Sequence, residues 1–423
     1  MKFLLIHFLF LIATNVISQS KQYDIAIKNV NIIPCQENIV LKNKTVLING
    51  NRIVEISNSN KVSAKTTING KGKYLIPGLA DMHVHFPDEG LQNFFDLNRS
   101  AGVMYLRSMR GDAGKGRHPN LRDSLAKSDP YALHLILSAP PFYKKDGLKN
   151  PDSLIQSYKK EGYDLIKILS VENEQRFSEI LNASNENKMK VAGHNPVNLI
   201  KTLCSGFGCI EHLDGYYSYL KKDSLDFAID KTIRNNVYNC ATIDWYSIFY
   251  MQATKDELQK RAGLQFISKK QLAAWDSSFD ASLTRRQQLE EPKQLETTKR
   301  NKEIIDAKYL ILKKLYSKNA KMLLGADATG LFQVPGYSVY EEMYHYKKAG
   351  ISNFQILNTA TYAAAQYCGE ENLWGSIATG KLANLVLLSK NPLEQIENID
   401  SVEGIIVNGN WLNKEHLNKK LTY

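Results

Sequence analysis

Eight short, mostly apolar runs, separated by helix-forming stretches, occupy the middle of this chain, and that alternation limits its fold more than any other feature. Parallel strands need a crossover long enough to hold a helix, so strand-like segments alternating with helical ones predict βα units feeding a parallel sheet. The runs lie at residues 78–85, 103–107, 133–138, 165–169, 190–194, 209–212, 237–242 and 322–327. Eight such units are the number that closes a (β/α)₈ barrel. The 423 residues, 43% of them hydrophobic, suffice for that core and for a smaller unit beside it.

The spacing breaks once, between the seventh and eighth runs, where about 80 residues intervene, far more than an ordinary loop. Residues 255–300 are charged and helix-prone, and Ile304, Ile305, Tyr309, Leu312 and Leu315 then recur at the spacing of a helix that packs outside the barrel. An insertion at about 243–320 is therefore expected, either a lid over the site or a solvated decoration. At the two ends of the chain the pattern is different. Residues 23–68 read as short alternating strands broken by Asn49-Gly50-Asn51 and Asn69-Gly70, and similar strands return at 383–388 and 404–407 before Asn408-Gly409. Strands at both ends suggest one discontinuous β-sandwich domain, residues 19–76 and 370–423, with the barrel at 77–369.

Lys2, the apolar stretch 3–13 and the small residues Val16 and Ser18 predict a signal peptide at residues 1–18, cleaved before Gln19. The apolar stretch is too short to span a bilayer comfortably. The expectation is an exported protein, periplasmic or secreted, without a stable membrane anchor after cleavage. Five cysteines are an odd, sparse set rather than a disulfide framework; Cys204 and Cys209 are near enough in sequence to pair or to stay as thiols. No CxxC pair is present, which argues against a thiolate zinc site. The net charge of +11 is spread over scattered lysines without an aromatic-interleaved basic stripe, so a solvated surface is expected rather than a nucleic-acid partner.

The chemistry concentrates at strand ends. His83 and His85, two apart on the first run, point the same way from a strand and can bind one metal from one side. His194 ends the fifth run, His212 the sixth and Asp327 the eighth. Barrel active sites gather at the C-terminal ends of strands, so all five side chains are expected around one mouth as metal ligands. Lys167 lies inside the fourth run between Ile166 and Ile168, which face the opposite way; a lysine facing the barrel interior needs a partner, either a carboxylate or, once carboxylated itself, metal ions.

The stretch 75–85 (Leu-Ile-Pro-Gly-Leu-Ala-Asp-Met-His-Val-His) resembles the opening motif of the amidohydrolase superfamily of metal-dependent hydrolases. Gly102-Val103 with Leu106-Arg107, Ile210-Glu211-His212, Leu324-Gly325-Ala326-Asp327, residues 375–385, Asn391-Pro392-Leu393 and Val407-Asn408-Gly409 continue the likeness over nearly the whole chain after the signal. Within the superfamily the chain is similar to the imidazolonepropionase-like and prolidase-like branch. Ser108 and Asn384 stand where aspartates are common, which marks a divergent member.

The resemblance implies that His83, His85 and Asp327 hold one divalent metal and His194 and His212 a second, with carboxylated Lys167 and a hydroxide between them. Asp327 is then the proton shuttle in hydrolysis of a carbon–nitrogen bond: an amide, a dipeptide-like bond or a cyclic amide. Zinc suits the donor set, and manganese, iron or cobalt would also fit. Two metals per chain are expected if Lys167 is carboxylated; a mononuclear cyclic amidohydrolase, with Lys167 unmodified, is the alternative. Arg107 and Tyr216 are candidates to grip a substrate carboxylate. A small-molecule substrate is the expected partner, self-association stays open, and a non-catalytic binding protein on the same scaffold is the reading from another class.

Overall fold

The computed structural model describes residues 22–111, 118–144 and 150–421; the expected signal peptide, residues 1–18, lies outside them. Five strands come first: β1 (Gln22–Ile32), β2 (Leu41–Asn49), β3 (Arg52–Ser57), β4 (Ser63–Asn69) and β5 (Tyr74–Pro77). Eight more alternate with helices: β6 (Leu79–Val84), β7 (Val103–Ser108), β8 (His134–Leu137), β9 (Leu165–Ile168), β10 (Lys190–Gly193), β11 (Cys209–Glu211), β12 (Tyr238–Cys240) and β13 (Met322–Leu323). The last three are β14 (Leu385–Leu388), β15 (Val402–Val407) and β16 (Asn410–Asn413).

Strands from both ends of the chain share one eight-stranded sheet, in the order β16-β15-β14-β5-β1-β2-β3 with β4 on β1. Alternate residues of a strand face opposite sides, and β14 uses this. Leu385 and Leu387 join a small core with Ile25, Ile27 and Val46, whereas Val386 and Leu388 join the large core of the α/β part. The two layers touch closely: a side chain at Gly102 (φ 71°) would meet Val386 at 2.8 Å. That position needs a glycine both for its backbone angle and for the approach.

The central strands form two parallel segments, β6-β7-β8 and β9-β10-β11-β12-β13. Backbone hydrogen bonds run between them on both sides. Leu137 O accepts from Asp164 N and Leu165 O from Ala139 N, both at 2.8 Å; Leu324 O accepts from Met82 N and His83 O from Asp327 N, both at 2.9 Å.

Between β12 and β13 come the helices Ile243–Phe249, Lys255–Leu258, Lys269–Gln287 and Glu291–Ser317. The last is amphipathic only in its second half, where Ile305, Lys308, Ile311, Leu312 and Leu315 are buried. The first half has no buried residue. The insertion is more than a decoration, because Leu258, Leu264 and Phe279 pack with Leu97, Phe332 and Val334 in a cluster of their own. All five cysteines are free thiols; Cys209 is buried and Cys204 exposed. Among the described residues no helix is long and apolar enough to cross a membrane.

Candidate active site

The apolar strands deliver their polar residues to one place. β6 is buried at every position, so His83 emerges into the interior with 1% of its surface exposed, and His85 follows just beyond the strand. Asp81 ties this segment to the one after β13: its Oδ1 accepts from His83 N at 3.1 Å and from Ala326 N at 3.0 Å. The neighbouring Gly325 permits the approach, since a side chain there would lie 2.7 Å from His83 N. At the end of β10, Gly193 (φ 148°) turns the chain where a side chain would meet Ile168 O at 1.9 Å, and His194 follows. His212 (φ 63°) and Asp327 (φ 50°) both take left-handed backbone angles. Such conformations are costly outside glycine and gather at functional sites.

One cavity of about 300 Å³ is lined by His83, His85, Lys167, His194, His212 and Asp327, all six residues expected from the sequence, together with Trp245 and Tyr246. Ring centres lie 5.4 Å apart for His83 and His85, 4.9 Å for His83 and His212, and 4.5 Å for His194 and His212. Asp327 Oδ1 is 3.2 Å from His85 Nε2 and 3.8 Å from His83 Nε2; Oδ2 is 3.9 Å from His212 Nδ1. Donor atoms of His83, His85 and Asp327 fall within 4.8 Å of one another, the spacing a single cation needs. His83, Glu211 and Cys240 also cluster, but Glu211 is already engaged by Arg107 and by His83 Nδ1, and burial pushes the Cys240 thiol well above its ordinary value.

Three side chains absent from the expected site orient the imidazoles. Glu211 Oε2 lies 2.8 Å from His83 Nδ1, Asp214 Oδ2 2.7 Å from His194 Nδ1, and Thr242 Oγ1 2.7 Å from His212 Nδ1. With Nδ1 engaged, Nε2 is left for a ligand. A charged residue inside the apolar run Cys209-Ile210-Glu211 is the sequence signal for the first. Asp214 and Thr242 carry no comparable signal. Lys308, from the insertion's last helix, donates to His212 O and lies 3.7 Å from the centre of the Tyr246 ring.

Electrostatics suit a cation. Burial pushes His83 down to about 4 and, with the neighbouring imidazoles, drives His212 well below its ordinary value, so both rings are neutral at pH 7, the ligating form. Burial resists ionisation of Asp327, but His83 and His85 outweigh it and hold the carboxyl below its usual range. Burial likewise weakens proton binding by Lys167, with Glu211 and Asp327 pulling the other way.

Two expectations are corrected. Tyr216 is fully buried with its hydroxyl 2.7 Å from Thr232 Oγ1, away from the cavity lining. Arg107 is also fully buried, its Nη2 donating to Glu211 Oε1 at 2.7 Å and its Nε to Met82 O at 2.5 Å. Neither lines the histidine cavity. The sequence shows an arginine at the end of one strand and a tyrosine opening the helix after another, but not the direction in which each side chain leaves the backbone.

Comparison with known proteins bears on the family and the fold. The profile of the Amidohydrolase family matches residues 179–412, more than half of the chain. The chain belongs to the amidohydrolase family. Members of this family depend on metal ions.

A dihydroorotase of Carboxydothermus hydrogenoformans is 43% identical over 85 residues, 20% of each chain. A 5′-deoxyadenosine deaminase of Methanosarcina acetivorans is 41% identical over 63 residues, 15% of each. The chain thus aligns with at most a fifth of the length of these curated relatives. Solved structures match over far more. A Xaa-Pro dipeptidase with bound methionine superposes with a TM-score of 0.69 at 19% identity, covering 92% of this chain and 99% of that one. A bottromycin amidohydrolase gives 0.72 at 18%, covering 93% and 88%. At such identities these likenesses speak for the fold.

Proposed function

We propose that this chain is an exported amidohydrolase that cleaves an amide in a small molecule, a dipeptide-like, N-acyl amino acid or cyclic amide bond, with Asp327 as proton shuttle. The observation that carries the reading is the convergence of four imidazoles, Lys167 and Asp327 on one cavity. His83, His85 and Asp327 would hold one divalent metal, zinc by preference, and His194 and His212 a second, with Lys167 between them as its carbamate. Metal bound there would supply a water of lowered pKa and polarise the scissile carbonyl. Asp327, ionised at neutral pH, accepts the proton of the attacking water on a carboxylate oxygen and releases it to the leaving nitrogen. Glu211, Asp214 and Thr242 keep the imidazoles turned towards the cavity. Trp245 and Tyr246 wall it on one side.

The hydrogen bonds on both sides of the two parallel segments support one closed (β/α)₈ barrel at 77–369, and the sheet shared by strands from both ends of the chain supports a discontinuous β domain at 19–76 and 370–423, as one sheet packed on the barrel rather than a sandwich of two. Export rests on residues 1–18 and is checked by sequencing the N-terminus of the mature protein, expected at Gln19. A one-metal cyclic amidohydrolase is the second reading, favoured by the compactness of the His83, His85 and Asp327 trio. Elemental analysis separates the two. The function is tested by screening the metal-reconstituted enzyme against dipeptides, N-acyl amino acids and cyclic amides. At least one class should be hydrolysed, and Asp327→Asn should lower that rate by roughly 10²–10⁴-fold. A wild-type enzyme inert on all three classes refutes the proposal.

A further inference from the structure

Beside the histidine cavity lies a larger one, about 560 Å³, and the two share His85, Arg110 and Thr329 as walls. Its apolar lining includes Phe86 and Phe94, each 4% exposed with ring centres 5.7 Å apart, and Leu97. Ile267 and the half-buried Trp275, both from the insertion, complete it. That wall is anchored: Trp275 lies 5.7 Å from Phe332 between ring centres, within the cluster that joins the insertion to Leu97 and Val334. The chain after Asp327 therefore carries both the active-site carboxylate and the support for this wall.

The histidine cavity, at about 300 Å³, lies at the bottom of the size range of ligand pockets and has room for an amide group with its immediate substituents. The second cavity has the size of pockets that enclose drug-sized molecules, roughly 300–1,000 Å³. A dipeptide of small residues would leave it wet, with aromatic surface facing water. We propose that it is a subsite, built in part by the insertion, for a bulky aromatic or aliphatic group attached to the scissile amide. The amidohydrolase would then prefer aryl-bearing N-acyl amino acids over small ones. The proposal rests on the histidine cavity being the hydrolytic centre.

The test compares metal-loaded wild type, Trp275→Ala and Gln271→Trp. Gln271 is an exposed position lining the same cavity, where tryptophan fills space with little risk to folding. N-acetylglycine, N-acetylphenylalanine and N-(3-phenylpropionyl)glycine serve as substrates. Calorimetric binding of 3-phenylpropionate and phenylalanine against acetate and glycine gives a readout that needs no turnover. In wild type at least one phenyl compound should be favoured about tenfold or more, the scale of discrimination an apolar pocket supplies. Both variants should lose most of that preference and leave N-acetylglycine unchanged. Equal kcat/KM and equal affinity across the wild-type series overturn the subsite, as does an undiminished preference in both variants. Phenyl-selective, Trp275-dependent binding without hydrolysis of any of these N-acyl compounds overturns the cavity's role as a subsite for N-acyl amino acids and leaves the hydrolytic reading to the dipeptide and cyclic amide screen. Hydrolysis without phenyl preference refutes the subsite alone.

Discussion

Glu211→Gln replaces one oxygen of a fully buried carboxylate by an amide nitrogen, and the contacts predict a double penalty. Glu211 bridges Arg107 Nη2 at 2.7 Å and His83 Nδ1 at 2.8 Å. Burial alone would favour its protonated form, but Arg107 and His83 reverse this and hold it ionised. Glutamine can accept from only one of the two neighbours; its NH₂ then faces the N–H groups of the other, and the Arg107 guanidinium keeps an uncompensated charge at 0% exposure. Removing one member of such a buried pair costs about 3–5 kcal/mol. For 423 residues, unfolding entropy is about 0.9 kcal/mol/K at ~2.1 cal/mol/K per residue, so the midpoint should fall by about 3–6 °C. Chains of this size often unfold irreversibly, so wild type and variant are compared in calorimetry at one scan rate. The second penalty is local. With the His83 ring less firmly oriented, metal affinity should drop about 10–100-fold in chelator competition. A variant with the wild-type midpoint and wild-type metal affinity would refute the argument that this carboxylate balances Arg107 and aims His83.

Tyr216→Phe deletes only the hydroxyl that meets Thr232, so it should cost about 1 kcal/mol of stability while kcat/KM stays unchanged; a tenfold loss of activity would restore a substrate contact for Tyr216. Lys167→Ala should lose most of the bound metal by elemental analysis, and about one metal per wild-type chain would remove the carbamate bridge. Burial raises Glu342 from its ordinary 4.5 to about 8, although its carboxylate accepts from Ile243 N and Asp244 N. A carboxyl with a raised folded-state pKa contributes stability that is full below about pH 4.5 and lost as pH rises through about 8. Glu342→Gln should therefore flatten the decline of thermal midpoint between those pH values; an unchanged slope would refute the assignment.

His85, His194, His212 and Asp327 were legible because each ends an apolar run, and His83 because it lies two residues before His85 on the first one. A polar residue closing an apolar strand stands out whatever the rest of the chain does. Lys167 was legible for the same reason, as a charge between two buried isoleucines. That Arg107 and Tyr216 do not line the cavity was not legible, because a position on or just after a strand does not reveal whether a side chain turns into the mouth or beneath it. Arg107 turns towards Glu211 and Tyr216 towards Thr232, partners 104 and 16 residues away along the chain. Trp245, Tyr246 and Trp275 sit in the insertion, where mixed charged and aromatic sequence gives no period by which to pick out cavity-lining residues.

By itself the sequence determined the order of strands and helices and the ligand types at strand ends, because both follow from periodicity and from the cost of burying an unpartnered polar group. Tertiary structure alone decided that those strand ends meet, which residues lock the imidazoles in place, and that the insertion packs against the segment after β13 to wall a second cavity. Those outcomes depend on contacts between residues far apart in the chain, and no local pattern encodes a distance across the interior.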